Sequence, residues 1–198
     1  GAYTMPLLLI VAPIVVIVFW VISVYNFFVS TKARIVASIQ EIGNQLKRQA
    51  ELIPNLESSA KGFLSHEKEI FKLLVSARKQ VVEAAGSGDV ELMSSASDAL
   101  NKVIPRLSVA VEDNPEITSS SVVGKLMDEL RDTSDKVMYA RRLLIDLSAD
   151  YNTRLVTFPD NIVAKFFKFE TQKGLSTPER GSHIEVSESD VKIPKISI

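Results

Sequence analysis

Between Gly1 and Thr31 the chain carries no charged side chain, and Lys32 is the first. Within that stretch residues 5–22, MPLLLIVAPIVVIVFWVI, are apolar throughout. About 20 apolar residues in helical form cross the hydrocarbon core of a bilayer, so this run predicts a membrane span. A cleaved signal peptide is the competing reading and fits poorly. No basic residue precedes the run, the run is too long, and no small-x-small site follows it. Trp20 and Tyr25 stand near its inner end, where amphipathic rings favour the interface. Pro13 lies mid-span, where membrane helices tolerate a kink if the freed carbonyl finds a partner.

Lysine and arginine counts set the expected orientation. The N-terminal flank has none, whereas Lys32, Arg34, Lys47 and Arg48 follow the span. The positive-inside tendency therefore puts the N-terminus outside and the bulk of the chain in the cytoplasm.

Past the span, apolar residues continue at alternating steps of four and three. The positions are Ile35, Ile39, Ile42, Leu46, Gln49, Ile53, Leu56, Ala60, Phe63, Glu67, Ile70, Leu74, Ala77, Val81 and Ala84. Only Gln49 and Glu67 in that series are polar, so it forms a heptad seam of the coiled-coil kind. The seam passes Pro54, in QLKRQAELIPNL, without losing phase. A loop normally breaks the phase, so the spacing predicts one kinked helix running from the span to about residue 85. At about 1.5 Å per residue such a helix would reach on the order of 120 Å from residue 5.

GSGD, residues 86–89, ends that helix and offers Asp89 as the next N-cap. A second helix is expected over about 90–113, with Leu92, Met93, Ala96, Leu100, Val103, Ile104, Leu107 and Val111 inward and Pro105 inside it. After DNPEITSSS a third carries Leu126, Leu130, Thr133, Val137, Ala140, Leu144, Leu147, Tyr151 and Leu155. Pro159 then suits the start of a short helix, 159–169, with Ile162, Val163, Phe166 and Phe167 as its apolar face. The expected fold is all-α: an N-terminal transmembrane helix continuous with a long kinked helix, in an antiparallel bundle of three to four helices. The expected segments are an anchor, 1–30, a bundle, 31–170, and a polar tail, 171–198, whose end, VKIPKISI, could add a strand or stay loose.

Several stretches resemble the LemA family of bacterial membrane proteins. They are Tyr25-Asn26, QLKRQAELIPNL at 45–56, HEKEIFKLLVSAR at 66–78, EDNPE at 112–116, YARR at 139–142 and DYNTRLVTFP at 150–159. The resemblance spans roughly 25–170. It implies an N-terminal anchor, a cytoplasmic helical bundle, a place in the bacterial inner membrane and no established enzymatic activity.

Candidate chemistry is sparse. His66-Glu67 opens like the zinc motif HExxH, but the second histidine would be residue 70, which is Ile70. The other histidine, His183, is in the tail. Lys47-Arg48 and Arg141-Arg142 are paired cations that could meet anionic lipid. The simpler expectation is pairing with carboxylates on neighbouring helices, Asp132, Asp135 and Asp146 being the nearest candidates. Gln49 and Glu67 are expected to fix helix register. There is no cysteine, which removes disulfides, thiolate chemistry and cysteine metal sites. With 23 Lys and Arg against 24 Asp and Glu, no basic domain marks a nucleic-acid binder.

The chain is therefore expected to be a scaffold or adaptor and not an enzyme, with no catalytic, cofactor-binding or metal residue assigned. Its expected partners are membrane lipid through residues 5–29, further copies of itself and a membrane-associated protein. The alternative is a self-assembling ring, sheet or filament subunit built on packed N-terminal helices.

Overall fold

The computed structural model describes residues 4–64, 67–114 and 121–175. Its regular elements are all helical: α1 (Thr4–Ser59), α2 (Lys61–Leu64), α3 (Lys68–Ala84), α4 (Val90–Glu112), α5 (Ser121–Val156) and α6 (Asp160–Phe166). The long helices α1, α3, α4 and α5 pack as an up-down-up-down bundle. Arg48 meets Glu129 and Phe28 meets Tyr151, so α5 runs antiparallel to α1. Arg141 meets Asp98 and Arg131 meets Ser108, so α4 runs antiparallel to α5.

The heptad seam is the core. Ile35, Ile42, Leu46, Ile53, Leu56, Ala60, Leu74, Ala77, Val81 and Ala84 are all buried. The inward faces expected for α4 and α5 are also buried, except that Leu92 is exposed and Leu126 and Leu155 are half-buried. Ser97 takes a buried place on α4. At the link between α3 and α4, Gly88 adopts φ 67°, the left-handed region open to glycine. Asp89 Oδ1 accepts from the backbone N–H of Glu91 and of Leu92 at 2.9 and 3.2 Å, capping α4.

The expected single helix from the span to residue 85 is not found. The first helix does not reach residue 85; α1 ends at Ser59, and after α2 the chain returns as α3. Arg78 Nη1 lies 3.1 Å from Glu57 Oε2, and a Cβ on Gly43 would lie 3.5 Å from the carbonyl of Ala85. Residues near the start and end of α3 thus sit beside progressively earlier residues of α1. Seam phase survives because both helices turn the same stripe toward one core, so phase alone cannot tell a continuing helix from a returning one. The 120 Å stalk is replaced by α1 alone, 56 residues and about 84 Å long.

α1 does run through Pro54. Proline has no N–H, so the carbonyl of Ala50 lacks its helical donor. Ile53 and Leu56, on either side, are both fully buried. Pro54→Ala should therefore lower the melting temperature, because straightening the last turns moves both side chains out of their packing sites. A clear rise in melting temperature, from recovery of part of the ~3 kcal/mol helix penalty, would show that the proline is tolerated and not used.

Candidate membrane anchor

Exposure changes abruptly along α1. Residues 11–19 are all exposed, with Val16 and Phe19 among the most open apolar side chains. From Val24 onward the inward face is buried. Among the described residues α1 is the one helix long and apolar enough to cross a membrane, with mean hydropathy 2.3 in its most apolar window. Only 11% of that window is buried, which separates it from the core helix of a globular protein.

An aromatic joint ties the base of this segment to the bundle. Phe28 is fully buried, stacked on Phe169 at 4.9 Å between centroids and edge-on to Tyr151 at 5.1 Å. Tyr25 meets Phe167 edge-on at 4.8 Å. The Arg154 guanidinium lies 3.9 Å over the Phe27 ring, with its Nε 3.7 Å from Asp160 Oδ2. These pairs prefer edge-on, offset and cation–π geometries, so they fix direction as well as burying area. α1 thus leaves the bundle at a set angle.

The stretch after α6 reinforces the joint. Lys168 at φ 57° turns the chain, and Phe169 N–H donates to the Ala164 carbonyl at 2.9 Å. Residues 170–175 then strap back along α5. Asn152 donates to the Gln172 carbonyl and accepts from the Gln172 N–H, each at 2.9 Å. A Cβ on Gly174 would stand 2.7 Å from Ser148 Cβ. Gly174→Ala should therefore lift the strap at a cost of about 1–3 kcal/mol. Faster amide exchange at Gln172 would report it; unchanged exchange would contradict it.

Tyr151 is fully buried under this strap, and its hydroxyl has no partner in hydrogen-bond geometry. Burial pushes the phenol above its ordinary 10.0, by more than the Gln172 side chain near the hydroxyl pulls it down. A raised folded value means that the native state holds its proton longer than the unfolded chain. Stability is thus complete below about pH 10 and falls as pH rises further. Tyr151→Phe removes an unsatisfied buried group, so it should hold or raise stability at neutral pH and remove that alkaline loss. A neutral-pH loss above about 1 kcal/mol would show a hidden partner for the hydroxyl.

The polar residues singled out in the sequence fall in different places. Gln49 is buried between α1 and α5, where its Nε2 donates to Ser134 Oγ at 3.1 Å and its Oε1 is unpaired. Sliding α5 by one turn would strand both groups, as a register-fixing pair requires. Glu67 does not share that role: it is exposed at the start of α3, because the seam is interrupted there by the return of the chain.

Arg48 Nη2 donates to Glu129 at 2.7 Å, and Arg141 Nη1 to Asp98 at 2.8 Å. The arginines thus pair with carboxylates on neighbouring helices, but not with Asp132, Asp135 or Asp146. Asp132 instead meets Lys136 one turn away, at 2.7 Å. Lys47 and Arg142 are exposed. Exposed pairs of this kind contribute about 0–1 kcal/mol each. His66 and His183 lie outside the described residues. Among the described residues no three His, Asp or Glu side chains converge as a metal site would need.

Comparison with known families yields a match over most of the chain. No curated protein matches the chain in sequence. The LemA family model matches residues 38–187, from the buried half of α1 through the strap and into the polar tail. That match covers most of the chain and takes in all five helices beyond α1, together with the buried polar pair, so this protein belongs to the LemA family.

Proposed function

We propose that this protein is a single-pass, membrane-anchored scaffold whose bundle binds and organises membrane-associated proteins without catalysis. The observation that carries the reading is the change of exposure along one unbroken helix. The apolar half of α1 is stripped of protein contacts, while the half that follows is the central core element. Membership of the LemA family fits a membrane-associated helical protein. The Lys32 and Arg34 flank supports an outside N-terminus and a cytoplasmic bundle in a bacterial inner membrane.

A partner surface is offered by α3, whose outer face carries exposed Phe71, Leu73, Val75 and Val82. Beside it an open groove of about 540 Å³ runs between α3 and α4, lined by Leu73, Gln80, Glu91, Asp98 and Lys102. Crosslinking through exposed Lys72 and Lys79 in intact membranes, followed by mass spectrometry, tests the reading. A recurrent membrane-associated protein joined to α3 is the expected result. Crosslinks between copies of this chain alone would replace the adaptor by a self-assembling subunit.

A further inference from the structure

The chain after α5 carries two apolar faces, and the bundle uses one. Val163 and Ala164 of α6 are buried against it. Phe158, Ile162 and Phe166, at steps of four, form the other stripe and are 76%, 55% and 78% exposed. The sequence put Ile162, Val163, Phe166 and Phe167 on one apolar face; in the structure Val163 is buried while Ile162 and Phe166 face away from the core.

Where this stripe sits decides what covers it. α5 runs toward the end of the bundle from which the apolar half of α1 emerges, and α6 caps that end. Phe167, next to the stripe, touches Tyr25, and Phe169 touches Phe28. Residues 5–22 of α1 rise about 27 Å, close to the ~30 Å hydrocarbon thickness. Tyr25 and Phe28, a turn or two further on, are then level with the headgroups. So is the stripe. Lys165 and Lys168 are exposed beside it; of the two nearby acids Asp160 is engaged by Arg154, and Glu170 is exposed at the start of the strap. An amphipathic segment with aromatic residues on one side and lysines at its edge has the make-up of an interfacial element that favours anionic lipid.

We propose that Phe158, Ile162 and Phe166 insert into the headgroup layer of the bilayer that α1 crosses, as a second foot that sets the bundle's tilt against the membrane. The inference rests on the anchor reading of α1 and is tested so that the two fail separately. The chain has no cysteine, so single labels are unique. Environment-sensitive NBD is attached to Phe166→Cys, Ile17→Cys and Val109→Cys variants of the full chain in phosphatidylcholine–phosphatidylglycerol vesicles. All three side chains are exposed, so the bundle tolerates their loss. Val109 adjoins Ser108, which accepts from Arg131, roughly 37 Å along α5 from Val156.

The label at 166 should be quenched by aqueous iodide several-fold less than the label at 109. It should also be quenched by headgroup spin-labelled lipid, unchanged when protein is diluted in lipid. Iodide quenching at 166 equal to that at 109, with 17 protected, would overturn the foot and leave the anchor. Exposure at 17 as well would overturn both. Protection at 166 without quenching by the labelled lipid, or protection lost on dilution, would assign the stripe to another part of the chain or to a second copy.

Discussion

Phe28→Ala should destabilise the bundle by about 3–5 kcal/mol, the usual cost of removing a buried aromatic side chain. The upper end is expected because three rings rest on Phe28: Phe27, Tyr151 and Phe169. The cavity would open where α1, α5 and the strap meet, and the strap is held otherwise by few contacts. Chemical denaturation of the full chain in detergent measures the loss. A change under about 0.5 kcal/mol, the range of ordinary surface substitutions, would mean that the joint does not hold the bundle to its anchor.

Ile14→Arg with Ile17→Arg should move the protein out of the membrane fraction. Each arginine near the centre of a span costs about 2.5–3.5 kcal/mol, so the pair costs about 5–7. Both isoleucines are exposed and lie outside the buried core, so the melting temperature of the bundle should not change. Opposite responses of membrane retention and bundle stability are the signature of an anchor separate from the core. Full retention in the membrane would contradict it, and so would a bundle that unfolds with the anchor.

Much of the core could be read in the sequence because it depends on side-chain period. Ile35 through Leu56, Leu74 through Ala84, and the inward faces of α4 and α5 follow from steps of three and four. The return of the chain after Ser59 did not follow, since a hairpin that shares one core preserves phase. The available signal was slight: Ser58, Ser59 and Gly62 favour a helix less than the residues around them do, and Pro54 is the stronger helix breaker nearby. Gln49 and Glu67 looked equivalent in the seam, yet only Gln49 lies where two helices press together.

The ion-pair partners were not legible either. Whether Arg48 reaches Glu129 or Asp132 depends on the register of α5 against α1, which the buried Gln49–Ser134 pair helps set. In α6, two apolar stripes compete and period alone cannot rank them. The strap at 170–175 is held by Asn152, Gln172 and the missing Cβ of Gly174. Contacts of that kind leave no hydrophobic pattern, so the segment read as the start of a loose tail.

In the proposed arrangement one helix is lipid-bound over its first half and the core of a bundle over its second. Cysteine accessibility scanning tests it most directly, since each introduced cysteine is the chain's only one. Positions 11 to 41 of α1 are labelled one at a time in native membranes with a water-soluble maleimide, before and after detergent. A continuous unreactive block over 11–22 that becomes reactive in detergent is the expected result. Beyond residue 30 the pattern should change to a helical period, with Val36 and Glu41 reactive in both conditions and Ile35 in neither. Reactivity through 11–22 in intact membranes would contradict the anchor, and uniform reactivity beyond residue 30 would contradict the bundle that grows from it.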